Sequence, residues 1–359
     1  MKYRLLDIVV CPHCQGRLTC NPFLETGAEV LEGILVCDCG RWYPIIGGIP
    51  RLLPEPLRAD YLLDNSDFLE KYRSKIPKII EITNSKDASI NLKRRTSDSF
   101  GFEWDTFSDI VKEYEANFLS YISPIGESFF RDKLVLDVGC GAGRHTYYAA
   151  KFGAEVVAVD LSKAVEAAYK NTRQFSKVHV IQAEIYSFPF REEFDYIFCI
   201  GVLDHLPDPQ QAFEKIVGLL KPKSLISIWV YGRKHNFLAI HIYEPIRKIT
   251  RHMPHKVLYY LCYLPAAIME VFNIIYKVVN SFSLTGHFAR LIPFKYYSHF
   301  PFRTKLNDSF DVFATPSSKY YTEQEIRNWF EVAGLKDIKV LYRKLDGVEK
   351  GIKGFGISS

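Results

Sequence analysis

"KLVLDVGCGAGRHTYYAAKFGAEVVAVD" runs from residue 133 to 160, and its reading decides the fold. An apolar run, Leu134 to Val138, ends in three glycines within five positions, Gly139, Gly141 and Gly143, and a helix-like segment follows. A second apolar run then closes on Asp160. Continuous apolar runs separated by helical text indicate a parallel sheet buried on both faces. The rhythm persists: "VHVIQAE", "FDYIFCIGVL" and "LISIWVY" alternate with "KAVEAAYKNTRQF" and "PQQAFEKIVGLL" up to about Gly232. The expected class is α/β, with helices on both faces and the ligand at the C-terminal edge of the strands.

The glycines tell which ligand. A triphosphate loop needs a Lys-Ser/Thr pair after its last glycine, and here Arg144 and His145 follow Gly143. A dinucleotide loop spaces its glycines GxGxxG around a pyrophosphate, whereas these read GxGxG. Asp137, two residues before the loop, would oppose a pyrophosphate and suits a ligand bearing an amino or sulfonium cation. Asp160 suits the two hydroxyls of a ribose; its plainer reading is a cap for the helix beginning near Ser162. Cys140, a small side chain within the loop, reads as packing.

These residues resemble the class I S-adenosylmethionine-dependent methyltransferases, from about Leu134 to Tyr231 and more loosely over 305–359. The resemblance implies a Rossmann-like sheet. It implies that Asp137, Gly139, Cys140, Gly141 and Gly143 surround the methionine end of the cofactor, with Asp160 and Leu161 at the ribose. The third motif, "QAEIYSFPF", implies Ala183, Glu184 and Ile185 beside the adenine, with Glu184 where the family usually has Asp. "CIGVLDHLPDP" (199–209) matches the family stretch after the fourth strand, with Ile200 at the cofactor and Asp204 in the first His position.

Methyl transfer from a sulfonium is an in-line displacement that requires alignment and exclusion of water. An oxygen or nitrogen acceptor also needs to lose a proton, and His205, after the fourth strand, is the candidate base. Asp204 is the candidate to orient it, and Tyr231 faces the acceptor from the end of the fifth strand. The plainer readings are packing for His205, a turn residue for Asp204 and a wet strand-end phenol for Tyr231. Asp311 and Tyr321, ahead of the last helix, are further pocket candidates.

The first 55 residues hold five of the eight cysteines and are too few to be stable on an apolar core alone. "CPHC" (11–14) and "CDCG" (37–40) give C-x2-C and C-x-C, a tetrahedral Zn(II) set of Cys11, Cys14, Cys37 and Cys39. The second pair is one residue short, which leaves His13 and Cys20 as substitutes. "LVCDCGRWYPIIGGIPRLLP" resembles the zinc ribbon of the small activator protein that partners tRNA and protein methyltransferases, and the ribbons fused to bacterial methyltransferases. The resemblance implies a structural zinc and a docking or stabilising role.

Residues 56–99 read as a partly helical connector ending in an exposed basic linker, "NLKRRTS". "FGFEW" (100–104) resembles a stretch ahead of the core in related methyltransferases, where a helix closes over the cofactor. Residues 233–304 read as an aromatic helical lid over the acceptor, before 305–359 return to the core. Within the lid the uncharged run Val257 to Met269 is thirteen residues long, short of the roughly 20 needed to cross a bilayer. With Arg247, Lys248, Arg251, His252, His255 and Lys256 before it, the segment has two readings: peripheral membrane contact through 247–282, or a cap packed over the pocket, which is favoured because its Tyr and Asn residues interrupt any single apolar face.

A net charge of +5 permits an anionic partner without demanding one. "MKYRLLDIVVCPHC" lacks the apolar region of an export signal, so the expectation is a cytoplasmic protein with reduced thiols. The function expected is methyl transfer from S-adenosylmethionine to a small or amphipathic metabolite, small-molecule or lipid-like, with zinc structural. The alternative is an RNA base methyltransferase that recognises nucleic acid through the ribbon, and a third reading is a non-catalytic regulator. RNA binding would show salt dependence, and a regulator would not bind the cofactor.

Overall fold

A computed structural model describes residues 1–77, 88–191, 194–234, 236–237, 239–281, 289, 292–345 and 348–359. Within them the α/β expectation holds. Strands β5 (Leu134–Val138), β6 (Glu155–Asp160), β7 (Val178–Ala183), β8 (Phe194–Ile200) and β9 (Leu220–Val230) run parallel. Every residue of β5 and β7 is buried, which is why their text is mostly apolar, interrupted only by the buried Asp137, His179 and Gln182. Helices Arg144–Lys151, Val165–Thr172 and Pro209–Val217 provide the crossovers. Helix Glu323–Val332, held at its start by a Thr322/Glu325 capping box, precedes β10 (Lys336–Leu345) and β11 (Val348–Ile357). β11 pairs antiparallel with β9, so the sheet is mixed.

The N-terminal residues are joined to this sheet. β1 (Leu18–Thr26), β2 (Glu29–Cys37) and β3 (Trp42–Ile46) form an antiparallel meander, and Gly47 and Gly48, both at positive φ, turn it into β4 (Ile49–Leu52). β4 then pairs parallel with β7, Arg51 opposite Gln182 and Leu52 opposite Ala183. Among the described residues eleven strands make one sheet, in the order β1-β2-β3-β4-β7-β6-β5-β8-β9-β11-β10. Leu5, Val9, Leu35 and Tyr43 share a buried cluster with Leu136, Ile181 and Phe190. Arg51, buried in this seam, donates to Gln182 Oε1 at 3.1 Å and pairs with Glu166 at 3.3 Å.

The order reverses beside β5, whose neighbours are β6 and β8, and the chain leaves the sheet above that crevice. It departs at Tyr231 and returns at Tyr321, whose N–H donates to the Tyr231 carbonyl at 2.9 Å. Between them lie helices Glu244–Thr250, His255–Leu261, Tyr263–Ser281 and Phe302–Ala314. Two readings of the sequence need correction here. The 302–314 helix packs with the insertion, not with the sheet: Leu306, Phe310 and Ala314 join Leu258, Cys262 and Ala266 in one cluster. Residues 88–106 are a single helix, not an exposed basic linker; 83–87 lie outside the described residues. Its Lys93 pairs with Glu184 at 3.0 Å and its Arg94 with Asp60 at 2.6 Å. The stripe that makes it a helix face, Leu92, Thr96, Phe100 and Glu103, is half polar because it faces a cavity, so no apolar period marks it.

Candidate active site

The crevice above β5 opens into a cavity of about 370 Å³. Its floor is the glycine loop. Gly139, Gly141 and Gly143 all adopt left-handed backbone, with φ of 75°, 52° and 79°. A Cβ on Gly139 would stand 2.2 Å from Val202 Cγ2, and one on Gly141 3.0 Å from the Trp104 ring, so a side chain at either would be both strained and blocked. Gly143 instead starts the 144–151 helix against Ala168 and does not reach the cavity.

The two acids predicted at the loop occupy different depths. Asp160 lines the cavity and accepts the Gly141 N–H at 2.9 Å and the Ser162 N–H at 2.8 Å, with the Ser162 hydroxyl at 2.7 Å. Both readings of the residue are therefore realised in part: it caps the following turn and braces the loop while facing the cavity. Asp137 lies beneath the loop, buried, and takes the Thr146 hydroxyl at 2.5 Å. Burial pushes its carboxyl up to about 7, against the pull of Thr146 and with a further push from the nearby Asp160 charge.

Cys140, Leu161, Ala183, Glu184, Ile185 and Ile200 all line the same wall. Glu184 is buried and accepts the Tyr186 N–H at 3.0 Å beside its ion pair with Lys93. Lys93 was not among the sequence candidates; it comes from a helix that the sequence left as linker.

Of the catalytic candidates, His205 and Tyr231 reach the cavity and Asp204 does not. His205 Nδ1 lies 2.8 Å from the Ser317 carbonyl, an acceptor only, so Nδ1 carries the proton and Nε2 a lone pair. Ser317 thus orients His205 in the way the sequence assigned to Asp204. Asp204 is fully buried, its Oδ2 3.5 Å from His205 Nε2, and neither of its oxygens has a hydrogen-bond partner. Burial pushes its carboxyl up to about 6, with His205 pulling the other way. Tyr231 donates to Asp311 Oδ2 at 3.3 Å, so Asp311 belongs to the pocket, whereas Tyr321 does not line it.

His145 is the residue the sequence reading missed. It lines the cavity at 5% exposure, and neither ring nitrogen has a partner. Phe118, Tyr121 and Phe198 surround the ring. Burial, then the Arg144 charge, hold it well below the usual histidine range, so it stays neutral. Only its place in "GAGRHTYY", two residues after the last glycine of the loop, could have signalled it. The lid adds Tyr243, Arg247 and Tyr296 to the far wall, and Glu103 and Trp104 close the side where "FGFEW" had no assigned contact.

Beside the Phe188–Pro189 segment, whose Pro189 carbonyl accepts the Val10 N–H at 2.8 Å, the Sγ atoms of Cys11, Cys14, Cys37 and Cys39 all lie within 4.8 Å of one another. Cys14 and Cys37 are 3.4 Å apart, Cys11 and Cys39 3.9 Å. Four thiolates at about 2.3 Å from one tetrahedral ion would be about 3.8 Å apart, so the set fits a metal. His13 and Cys20 stand outside the cluster. Gly16 sits against the cluster, where a Cβ would come within 3.1 Å of Cys14 Sγ and 3.3 Å of Cys37 Sγ.

A methyltransferase-domain family model matches residues 136–228, and a Trm112p-like protein model matches residues 2–48. An uncharacterized protein of Synechococcus sp. is 36% identical over 105 residues, 27% of this chain and 25% of that one. The ubiquinone biosynthesis O-methyltransferase of Hydrogenovibrio crunogenus is 28% identical over 158 residues, 41% of this chain and 65% of its own length. The protein of the same name from Thiobacillus denitrificans is 33% identical over 158 residues, 42% of this chain and 68% of its own. The chain thus spans a quarter of the first of these relatives and just under two thirds of the second. The chain belongs to the S-adenosylmethionine-dependent methyltransferases and carries a Trm112p-like domain at its N-terminus.

Proposed function

We propose that the protein transfers a methyl group from S-adenosylmethionine to a small or amphipathic acceptor through oxygen or nitrogen, with Zn(II) held by the four N-terminal cysteines. The observation that carries this reading is the lid-covered cavity in which a bare glycine loop and Asp160 meet His205, Tyr231 and His145. Gly139 and Gly141 would admit the methionine portion, Asp160 the ribose hydroxyls, and Glu184 with Ile185 the adenine. Bound, the cofactor supplies an electrophilic methyl. The chain's own residues align the acceptor, exclude water and receive its proton.

His205 Nε2 holds the lone pair that receives that proton, since Ser317 fixes the proton on Nδ1. His205→Gln should lower kcat by about 100-fold while leaving KM and cofactor affinity nearly unchanged. Steady-state kinetics of both proteins, with cofactor affinity measured by calorimetry, check this. A fall in cofactor affinity with kcat preserved would assign His205 to packing.

Asp137 gives a second expectation. Its carboxyl titrates near 7 in the free protein because burial disfavours the charge. A cationic cofactor favours the ionised form, so affinity should be full above that value and fall as pH drops through it. With a pKa near 7, affinity at pH 6 is expected to be about tenfold weaker than at pH 8. Titration calorimetry across that range measures it, and a flat profile would remove Asp137 from the cationic end of the site.

The names of the relatives support an oxygen acceptor on an amphipathic small molecule. The RNA reading is weakened because two of the three cations of its basic run, Lys93 and Arg94, pair with Glu184 and Asp60. Methyl uptake from labelled cofactor, tested on phenolic, quinol-like, lipid and RNA acceptors, decides between them; uptake by RNA alone would overturn the small-molecule reading.

A further inference from the structure

We propose that the 237–278 face of the lid docks on the surface of an anionic lipid bilayer, so that an acceptor with an apolar tail enters the cavity from the membrane. The proposal rests on the methyltransferase reading above for what happens to that acceptor.

The helical passage His255–Ser281 is 27 residues, about 40 Å, and is long and apolar enough to cross a membrane, beyond what the thirteen-residue uncharged run allowed. Only 22% of its most apolar window is buried. Both faces of the passage carry apolar side chains, and the larger ones face outward. The inner stripe is Leu258, Cys262, Ala266, Glu270 and Asn273, and the outer face is Leu264, Ile268, Val271, Ile274 and Val278. Asn273 is buried with neither amide atom partnered, while Tyr260 and Leu264 are 72% and 70% exposed. A helix in water buries its apolar side; this one packs Leu258, Cys262 and Ala266 on the body and leaves its larger aliphatic side chains outward, so packing as a cap does not by itself account for the segment. The Tyr and Asn residues that broke the expected apolar face are distributed around the helix, and the Asn turns inward.

The inner stripe also excludes a transmembrane course. Glu270 pairs at 2.9 Å with the buried Lys305 of the 302–314 helix, and Ala266 and Cys262 pack on Leu306 and Phe310. A helix so docked on the protein body presents one side to its surroundings, which is the geometry of an element lying in the interfacial plane. Phe237, Ile242, Ile246 and Ile249 extend the exposed apolar surface to the preceding helix.

Charge chooses the lipid. Lys248, Lys256 and Lys277 are exposed beside the apolar face. The two acids of the segment are neutralised within the protein, Glu244 by Arg247 at 2.9 Å and Glu270 by Lys305. Cations flanking exposed aliphatic and aromatic side chains match a surface of anionic headgroups over acyl chains. The same helix that exposes Ile246 turns Arg247 into the cavity, next to Tyr243, so the docked face and the acceptor wall are two sides of one element.

The test is co-sedimentation of the full, zinc-loaded chain with vesicles of phosphatidylcholine and of phosphatidylcholine mixed with phosphatidylglycerol. Binding to the mixed vesicles should be at least about tenfold tighter. It should fall by about tenfold or more in Leu264→Glu/Ile274→Glu and in Lys248→Glu/Lys256→Glu, with cofactor affinity by calorimetry unchanged in both. No sedimentation with either vesicle, in protein that binds cofactor, would overturn the proposal. So would sedimentation velocity showing a dimer that Leu264→Glu/Ile274→Glu dissociates, since a second copy would then cover the face. Failure of the unaltered protein to bind cofactor falls on the methyltransferase reading alone, because vesicle binding is measured independently.

Discussion

Replacing Cys37 by Ser should lower the melting temperature of the whole chain by roughly 4 °C, in a single transition, and take cofactor binding with it. A structural zinc contributes on the order of 10 kcal/mol of apparent folding free energy in isolated small domains. Loss of one ligand in four forfeits part of that; a loss of about 3 kcal/mol, against an unfolding entropy of about 0.75 kcal/mol/K for a cooperative unit of this length, corresponds to roughly 4 °C. The single transition follows from the sheet. β4 hydrogen bonds to β7, and Leu35 and Tyr43 share a core with Leu136 and Ile181, so the N-terminal meander cannot melt without exposing the edge of the cofactor-binding sheet. Scanning calorimetry with a zinc-release assay measures both quantities. Two separated transitions, with cofactor binding intact between them, would mean that the N-terminal unit is stable apart from the core.

Asp160→Ala should weaken S-adenosylmethionine binding by about 100-fold, or ~2.7 kcal/mol, the worth of one or two charge-assisted hydrogen bonds. Part of that loss is indirect. Asp160 accepts the Gly141 and Ser162 amides, so its removal frees the glycine loop as well as the ribose position. Asp160→Asn separates the contributions: it retains the shape and one acceptor, and sets an NH2 against a backbone donor or a ribose hydroxyl. Titration of both variants with S-adenosylmethionine and S-adenosylhomocysteine gives the affinities. A change below about threefold for Asp160→Ala would reduce the residue to a cap.

The cofactor half of the site was legible because its chemistry is local. Gly139, Gly141, Asp137 and Asp160 lie within 24 consecutive residues on one strand-loop-helix-strand unit, and backbone geometry alone brings them together. The four cysteines were legible for a related reason, since thiols at C-x2-C and C-x-C spacing have few other ways to be satisfied together. The acceptor half was not local. His205 is oriented by Ser317, 112 residues away, and Tyr231 meets Asp311 across 80 residues. No periodicity in the chain encodes such pairs. His145 escaped notice because its meaning lies in what surrounds it: aromatic rings on several sides and no partner for either nitrogen.

The sequence by itself determined the strand and helix alternation, the cofactor loop and the metal-ligand set, all of which follow from patterns of residues near one another in the chain. Only the tertiary structure decided three things. It joined the N-terminal meander to the catalytic sheet through two residues of β4, a pairing too short to leave a signal in composition. It made the 88–106 helix a wall of the cavity, with Lys93 and Arg94 paired to the distant acids Glu184 and Asp60. It set the direction of the lid helix, because which side of a mixed apolar and polar helix faces inward depends on the partner helix 302–314 and the Lys305 charge it presents, neither of which lies in the helix itself.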